Sequence, residues 1–373
     1  MSTATAHPIA MLVPADRIRE QISVVLAAWG MEPDVIRVAA DVMTDTDLAG
    51  IDSHGISMLM LYEEALGLEQ LNPAPRPRVV RESPVTALVD GDNGLGHVAA
   101  VFGMNLAIEK AAAAGVGIVC VRSSTHFGAA GYYAAMAPER GLLGLVTCTT
   151  RGNPVLPTRS AIPVLGTNPI AFAAPTRRNT PFLLDMSTST VAQNKVKVYE
   201  FERRPLPAGW VLDESGNPVT DSVRAMELVT VTHTGGITAL GGTAEMSSHK
   251  GYGLSVMVQI LSATLAGASF TPIRKRTQGR GDPDDIGHFL MALDPRAFRE
   301  EGAFEDDLDD VIDVLHAARP TNADESVLVA GEPEAIAREE RRRIGIPVPD
   351  ALAQKIRAIC DRCGAPYLLD AAR

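Results

Sequence analysis

The strongest constraint on the fold comes from short apolar runs that are bordered by polar clusters. Residues 142–148 have the pattern of a buried strand, and 170–174 and 182–184 predict two more strands joined by a polar turn at 177–179. Clusters with polar side chains flank these runs: Thr149, Thr150 and Arg151 follow the first, Gly166, Thr167 and Asn168 precede the second, and Asp185, Met186 and Ser187 follow the third. Clusters at successive strand ends predict one shared cleft.

A second polar stretch, Gly-Ile-Asp-Ser-His-Gly at 50–55, lies between two runs with the apolar periodicity of helices. Gly50 can end the first helix, and Asp52 or Ser53 is a natural N-cap for the second. This arrangement places His54 in a helical first turn, where the helix dipole lowers its proton affinity. Such an imidazole suits proton transfer, and a histidine with a purely structural role is the alternative.

Three further positions carry groups suited to a ligand. His126 precedes small residues that open a helix, so a ligand can approach the backbone closely there. Lys250 stands in a glycine-rich entry to a long apolar helix, where an ammonium and backbone amides can bind phosphate or carboxylate, although small residues there could instead serve helix packing. Asp185 follows an apolar strand, so its carboxylate needs a partner; structurally, it could cap a helix starting near Ser189.

A dinucleotide-like glycine pattern is the most misleading feature of the chain. Gly94, Gly96 and Ala99 match G-x-G-x-x-A between a predicted strand and a predicted helix. The next apolar strand, 116–121, ends without the acidic residue that would hold a ribose. We therefore favour a helix entry at which glycines ease a turn.

Composition excludes several classes of protein. The chain has 373 residues, 46% of them hydrophobic and 21% charged, which are ordinary values for a globular protein. A formal net charge of -11 disfavours nucleic acid as a partner. The first residues lack the pattern of a secretion signal, no run is long enough to cross a bilayer, and four scattered cysteines are too few for a disulfide scaffold. We expect a cytoplasmic protein that has no membrane partner.

Two other segments have simple predicted structures. Residues 200–241 are rich in glycine and proline and predict a loop. Residues 304–315 predict an amphipathic helix, and its acidic run at 305–310 is most simply a solvated face.

Taken in order, the clusters at 52–55, 125–133, 166–172, 185–189 and 249–254 resemble the second, non-Rossmann family of malate and lactate dehydrogenases. That family also holds ureidoglycolate, sulfolactate and diketogulonate dehydrogenases and reductases of cyclic imino acids. The resemblance implies an α/β (α+β) fold like that of sulfolactate dehydrogenase, with a mixed, largely antiparallel sheet and flanking helices. It also implies a homodimer. The proline-rich residues 72–77 predict a linker, so we divide the chain into an N-terminal helical domain, 1–78, which packs with the C-terminal segment 285–373, and a cofactor-binding domain, 79–284.

The same resemblance assigns roles to individual residues. It offers His54 and His126 for proton transfer, with His54 ranked first, Ser53 to orient the reacting heteroatom, and Asp185 for catalysis or for the nicotinamide. The cofactor contacts carried over are Thr150, Gly166, Thr167, Asn168, Asp185, Met186, Ser187, Lys250, Gly331 and Glu332. No residue is assigned to a metal.

One departure from the family pattern concerns the substrate. Four residues after the helix-opening histidine, members that act on 2-oxo acids commonly have Arg, a bidentate partner for carboxylate, whereas this chain has Met58. This puts malate, lactate and ureidoglycolate in doubt as substrates. Arg151 is the candidate substitute cation, and Thr167 is a further candidate substrate contact.

The expected function is therefore transfer of a hydride between NAD or NADP and a small 2-oxo or 2-hydroxy acid, or a cyclic 2-imino acid. Two alternatives remain open. One is a metal-assisted lyase or hydrolase using His54, His126, His249 and Asp185, although no metal-ligand spacing is present. The other is a non-catalytic dinucleotide-binding protein that lost its substrate with the Arg-to-Met change at position 58. Arginine pairs at 177–178 and 203–204 could accept the 2′-phosphate of NADP, but such pairs are usually surface charge.

Overall fold

The computed structural model describes residues 10–201, 203–274, 276, 278–279 and 281–370. Its helices are α1 (Ala15–Ala28), α2 (Pro33–Leu48), α3 (Leu59–Gly67), α4 (Gly96–Ala114), α5 (Ala130–Ala135), α6 (Gln193–Phe201), α7 (Ser222–Glu227), α8 (His249–Gln259), α9 (Thr271–Arg274), α10 (Ala303–His316), α11 (Glu332–Ile344) and α12 (Asp350–Cys363). Its strands are β1 (Ala10–Val13), β2 (Arg78–Glu82), β3 (Thr86–Asp90), β4 (Val116–Ser124), β5 (Leu143–Cys148), β6 (Val155–Leu156), β7 (Ile170–Ala174), β8 (Phe182–Met186), β9 (Val211–Asp213), β10 (Gly235–Thr238), β11 (Ile286–Leu293) and β12 (Ile346–Pro349). None of the helices within these ranges has both the length and the apolar character needed to cross a bilayer.

The central sheet has seven strands in the order β2-β3-β4-β11-β5-β7-β8. Only β3 and β4 are parallel neighbours, joined by α4, and every other neighbouring pair is antiparallel. A mixed, largely antiparallel sheet flanked by helices is therefore confirmed, and a doubly wound parallel sheet is excluded. Gly96 opens α4 where an added Cβ would lie 2.2 Å from the Thr125 carbonyl oxygen, so this glycine permits close packing of the helix entry on the next loop.

The strand ends that carry the predicted polar clusters all lie at the same end of this sheet, where the strands meet the loops. β4, β5 and β8 end there and β7 begins there, as fixed by the opposed pairs Ser124 and Ile286, Cys148 and His288, Thr147 and Ile170, and Ile170 and Met186. The register therefore brings the loops after β4, β5 and β8 and the loop before β7 to a common side of the molecule.

The two ends of the chain share one apolar core. β1 pairs with β12 in a separate two-stranded antiparallel sheet. Buried side chains of α1, α2 and α3 pack in one cluster with those of β12 and α12. The division into 1–78 with 285–373 and 79–284 stays a prediction; β11 belongs by sequence to the C-terminal segment but pairs within the central sheet.

The prediction of a loop over 200–241 is wrong. This segment contains α7, β9 and β10, and β10 lies between β6 and β9 in a three-stranded sheet with its own buried cluster. Most of the glycines and prolines that suggested a loop lie between these short elements, and two glycines lie within β10. Gly235, for example, begins β10 with φ +106°, where an L side chain is disfavoured.

The acidic run on α10 is only partly a solvated face. Asp309 is fully buried, and its carboxylate accepts hydrogen bonds from the backbone N–H groups of residues 177–179. More exposed carboxylates of α10 bind the two arginines of the turn at 177–179: Asp306 pairs with Arg177, and Asp310 and Asp313 pair with Arg178. The turn between β7 and β8 is thus anchored by α10, because clustered backbone donors attract a carboxylate.

Candidate functional site

The loop that carries His54 is shaped by residues outside it. Gly50 ends α2 with φ +82°, as predicted, but His54 lies in a bend before a 3₁₀ turn over Ile56–Met58, so its predicted place in a helical first turn is wrong. The cap comes from α2: the carboxyl group of Asp47 accepts a hydrogen bond from the Ile56 N–H at 2.8 Å. Neither Asp52 nor Ser53 caps this turn.

Asp52 instead forms an ion pair with α11. Arg341 donates to both carboxylate oxygens of Asp52 and, at 2.6 Å, to the carbonyl oxygen of Asp47. The planar guanidinium therefore joins the end of α2 to the loop that follows it. This contact spans 289 residues of sequence, so local patterns could not reveal it.

Two histidines, His54 and His126, face each other beside these strand ends. The rings of His54 and His126 are stacked, with centroids 5.5 Å apart and an interplanar angle of 25°. The Ser53 hydroxyl lies 2.7 Å from Nδ1 of His54. The structure thus brings together three of the predicted catalytic residues, Ser53, His54 and His126.

Behind His126 lie two residues that sequence reasoning did not assign to the site. The Tyr62 hydroxyl is 3.0 Å from Nδ1 of His126 and 3.4 Å from Nε2 of His97, and both Tyr62 and His97 are buried. Gly128 also donates its N–H to Nδ1 of His126, at 3.3 Å. The available signal was His97 itself, a polar residue in the otherwise apolar start of α4.

Burial sets the protonation of this cluster. Burial lowers the pKa of His54, and burial together with the neighbouring histidines holds the pKa of His126 well below its ordinary value. Burial lowers the pKa of His97 to about 3. The sequence predicted a lowered pKa for His54 but attributed it to a helix dipole, whereas desolvation is the cause here.

Asp185 lies in β8 and is coupled to the segment that carries His126. Its carboxylate accepts a hydrogen bond from the N–H of Gly131 at 2.7 Å, so it does not cap a helix near Ser189. Burial raises the pKa of Asp185 to about 6, and Glu334 adds to this rise. Such a carboxyl group can change its protonation near neutral pH.

Three segments predicted to contact a cofactor are bonded to one another. The Thr188 N–H and hydroxyl both donate to the Thr167 carbonyl oxygen, at 2.9 and 3.1 Å, which ties the loop before β7 to the loop after β8. The side-chain amide of Asn168 donates to the carbonyl oxygen of Ser255 in α8, at 3.0 Å. Met186 and Ser187 stand between Asp185 and Thr188.

A small cradle lies beside these bonds. An added Cβ at Gly166 would lie 1.9 Å from the Thr150 hydroxyl oxygen and 2.6 Å from Oδ1 of Asn168. That Oδ1 is buried and has no hydrogen-bond partner among the described residues. Asn168 also has φ +37°, a conformation that is strained for a residue with a side chain. An unsatisfied acceptor and a strained backbone together point to a binding function.

Three other predicted cofactor residues stand at the starts of two helices, Lys250 in α8 and Gly331 and Glu332 at α11. Lys250 is exposed in the first turn of α8. Gly331 packs against β8, since an added Cβ would lie 2.9 Å from Cβ of Leu183. The carboxylate of Glu332 binds Nε2 of His316 at 2.7 Å and accepts the N–H of Val329, so it has structural partners of its own.

Met58 and Arg151 lie in different surroundings. Met58 stands where family members commonly have arginine, and Arg151 is the candidate to supply the missing cation. Met58 is partly buried and packs against the core of the N-terminal helices. Arg151 follows β5, and its Nε lies 3.3 Å from the carboxylate of Asp284, which also binds Arg274. The structure therefore places Arg151 beside the strand ends that carry the polar clusters, where the buried carboxylate of Asp284 binds it.

Arg177 and Arg178 contact the acidic face of α10, and Arg204 stacks on Tyr199 with its guanidinium carbon 4.4 Å from the ring centroid. These contacts explain the arginines structurally. Within the ranges that the structure covers, no group of three or more His, Cys, Asp or Glu side chains is arranged to hold a metal ion.

Comparison with known proteins agrees with this fold. The family model described as malate/L-lactate dehydrogenase matches residues 13–357. Malate dehydrogenase from Pyrococcus horikoshii is 38% identical over 357 residues, 95% of this chain and 96% of that protein. L-sulfolactate dehydrogenase from Methanocaldococcus jannaschii is 33% identical over 95% of this chain and 98% of its own length. The crystal structure of malate dehydrogenase from Entamoeba histolytica has a TM-score of 0.90 and 31% identity, covering 96% of this chain and 99% of that chain.

These similarities extend over nearly the whole length of the chain, and they confirm the resemblance read from its polar clusters. Both alternatives, a metal-assisted lyase or hydrolase and a non-catalytic binding protein, are disfavoured by relatives that are dehydrogenases. The order of the clusters, the largely antiparallel sheet and the relatives all lead to one assignment: the chain is a dehydrogenase or reductase and belongs to the malate/L-lactate dehydrogenase family.

Proposed function

We propose that this protein transfers a hydride between NAD or NADP and a small 2-oxo or 2-hydroxy acid, or a cyclic 2-imino acid. The observation that carries the proposal is the stacking of His54 on His126, with Asp185 bonded to Gly131 in the segment that follows His126. A poised histidine can move the proton that must accompany a hydride, typically a contribution of about 100- to 10,000-fold.

The cradle supports a nicotinamide cofactor. The unpartnered Oδ1 of Asn168 is an acceptor for an amide N–H₂, and the absence of a side chain at Gly166 leaves room next to it. We assign Thr150, Thr167, Met186 and Ser187 to the walls of this site, and Lys250 to a phosphate group of the cofactor. Gly331 and Glu332 complete the assignment by shaping the outer strand β8. When bound, the reduced cofactor supplies the hydride to the carbonyl or imine carbon.

The chain's own residues handle the proton and the substrate. His54 delivers a proton to the substrate oxygen or nitrogen, and the Ser53 hydroxyl orients His54 through Nδ1. Asp185 holds the segment that carries His126 through its bond to the Gly131 N–H. Arg151 is our candidate for the substrate carboxylate, in place of the arginine that family members commonly carry where this chain has Met58, and Thr167 lies on the same side.

One screen tests cofactor and substrate class together. The purified protein is mixed with NADH or NADPH and, in turn, with pyruvate, oxaloacetate, phenylpyruvate, diketogulonate, pyrroline-2-carboxylate and piperideine-2-carboxylate, and the absorbance of the reduced cofactor is followed. We expect oxidation of one cofactor with at least one oxo acid or imine, and loss of that activity in His54→Gln. Binding of reduced cofactor without oxidation by any of these compounds would contradict the proposal.

We also propose that the protein works as a homodimer in the cytoplasm. Large apolar side chains stand exposed on α8 and on the π-helical turn that follows it, which supports a second copy as the partner of this face. The four cysteines are free thiols, as expected in a reducing compartment.

A further inference from the structure

Tyr62 and His97 form a buried pair directly behind His126, and the family assignment leaves them without a role. Building on the proposed function, we propose that Tyr62 and His97 are positioning residues that fix the tautomer of His126. In this arrangement His126 presents an N–H at Nε2 to the heteroatom of the substrate, and His54 alone exchanges the proton.

The first step follows from the donor at Gly128. A backbone N–H can only donate a hydrogen bond, and the Gly128 N–H donates to Nδ1 of His126 at 3.3 Å. This donor favours a bare Nδ1 and a hydrogen at Nε2, but it is the longer of the two contacts to Nδ1, so the hydroxyl of Tyr62 supplies the stronger restraint. The Tyr62 hydroxyl, 3.0 Å from the same Nδ1, must then donate to it as well.

The second step assigns His97. Because the Tyr62 hydrogen points to His126, the Tyr62 oxygen is left to accept from Nε2–H of His97, 3.4 Å away. Nδ1 of His97 is then a bare acceptor. This nitrogen is buried and has no hydrogen-bond partner among the residues that the structure describes.

The opposite direction of donation along these hydrogen bonds, from His126 through Tyr62 to His97, is unfavourable at both ends. It would set Nδ1–H of His126 against the Gly128 N–H and would place an unpaired N–H at the buried Nδ1 of His97. Orphaned buried N–H groups are rarer in proteins than unsatisfied acceptors. The hydrogen bonds therefore run one way, from His97 through Tyr62 to His126.

The same contacts separate the roles of the two stacked histidines. A cationic His126 would need a hydrogen on Nδ1, where two donors already point. His54 has no such restriction, because its Nδ1 faces the Ser53 hydroxyl, which can donate or accept by rotating. His54 can thus gain and lose a proton while His126 remains a fixed donor 5.5 Å away between ring centroids.

Nitrogen NMR of the wild-type protein labelled with ¹⁵N-histidine tests the tautomer directly. At pH 7 we expect His126 to be neutral with its hydrogen on Nε2, the signal being assigned by its loss in His126→Gln. A hydrogen on Nδ1 of His126, or a charged ring, would overturn the inference. This measurement needs neither a substrate nor activity, so it can fail or succeed independently of the proposed function.

Variants test whether Tyr62 and His97 cause the tautomer. Tyr62→Phe keeps the buried ring and removes the hydroxyl, and His97→Leu removes the donor behind it; in both we expect a mixture of His126 tautomers. His97→Gln offers an amide N–H near the position of Nε2 and should restore the wild-type spectrum. A pure Nε2–H signal in Tyr62→Phe would show that the Gly128 N–H alone fixes the ring and that Tyr62 does not.

Kinetics provides a second readout. We expect Tyr62→Phe to lower kcat/KM about tenfold, the effect of one neutral hydrogen bond. Tyr367→Phe is the matched control, because this tyrosine stacks under Arg357 in the C-terminal segment, with 3.8 Å between the guanidinium carbon and the ring centroid, and should leave kcat/KM unchanged. Equal activity of the two variants would contradict the inference.

Discussion

The carboxyl group of Asp47 has almost no contact with solvent. It is 2% exposed, its Oδ2 accepts the Ile56 N–H, and an added Cβ at Gly55 would lie 1.8 Å from its Oδ1. Burial raises the pKa of Asp47 to about 8. The folded protein therefore binds a proton that the unfolded chain, with an ordinary aspartate, releases above about pH 4.

This difference predicts a pH dependence of stability. As pH rises from about 4 to about 8, the folded state keeps a proton that the unfolded state has lost, so the contribution of Asp47 to the free energy of unfolding falls. Asp47→Asn still accepts the Ile56 N–H and removes the titration, so we expect its stability advantage over wild type to grow from pH 5 to pH 8.

Urea denaturation at pH 5, 7 and 9 measures this advantage. Asp41→Asn is the control, because Asp41 pairs with Arg19 at the surface and its replacement should leave the pH dependence of the wild type in place. A parallel pH profile for Asp47→Asn and wild type would contradict the prediction.

Arg151 offers a second test at the scale of single residues. If it binds the substrate carboxylate, Arg151→Ala should raise KM about 10- to 100-fold, the value of a charged hydrogen bond, and should change kcat far less. Asp284 keeps Arg274 as a partner in this variant, so the loop retains an ion pair. Initial rates are compared with those of Arg81→Ala on the edge strand β2, and an unchanged KM in Arg151→Ala would remove Arg151 from the substrate site.

The site residues that could be predicted from the sequence are those whose polar side chains interrupt a run of small or apolar residues. His54, His126 and Asp185 stand out because each is a polar group beside small or apolar neighbours. The residues that support them could not be predicted in the same way, since Tyr62 and His126 are 64 positions apart and Arg341 and Asp52 are 289 apart. Such contacts depend on how helices and strands meet in space, which no local pattern records.

The elements themselves were predicted most reliably where the apolar pattern is long or lies within one buried strand. Residues 142–148 and 170–174 were predicted as strands and form β5 and β7. The segment 200–241 was missed because its helices and strands are only three to six residues long, apart from α6, and connections that contain glycine and proline separate them. Short elements are fixed by pairing with neighbours more than by their own periodicity.

α11 illustrates how one element can control another. Its Arg341 reaches the Asp52 carboxylate and the Asp47 carbonyl oxygen, and its Arg338 pairs with Asp45 of α2. We expect Arg341→Ala to lower the free energy of unfolding by about 1–3 kcal/mol and to lower kcat, because the loop that carries Ser53 and His54 loses its bidentate anchor.

The prediction is checked by urea denaturation and initial rates. Arg341→Lys should recover only part of the loss, because an ammonium lacks the planar fork of a guanidinium. Arg17→Ala is the control, since Arg17 forms an exposed pair with Glu20 on α1 and such pairs contribute little. Wild-type kcat in Arg341→Ala would show that α11 does not position the loop.

At the scale of the whole molecule, the exposed apolar face of α8 and the turn after it predicts a dimer. Met257, Ile260 and Leu265 are 40%, 53% and 59% exposed, which is unusual for such large side chains close together. We expect light scattering after gel filtration to give twice the monomer mass, and Ile260→Lys to shift the protein towards the monomer. Ile162→Lys, at an exposed isoleucine in the loop between β6 and β7, is the control and should remain dimeric; a monomeric wild-type protein would contradict the prediction.

The pairing of β1 with β12 has a consequence for synthesis in the cell. The ribosome releases residues 10–13 long before their partner strand, 346–349, because 333 positions separate the paired residues Val13 and Ile346. Until then the apolar sides of the first helices lack the residues of α12 that complete their core. The core around the first three helices must therefore be completed after β12 and α12 have been made, and a nascent chain stalled before residue 346 would remain a substrate for chaperones.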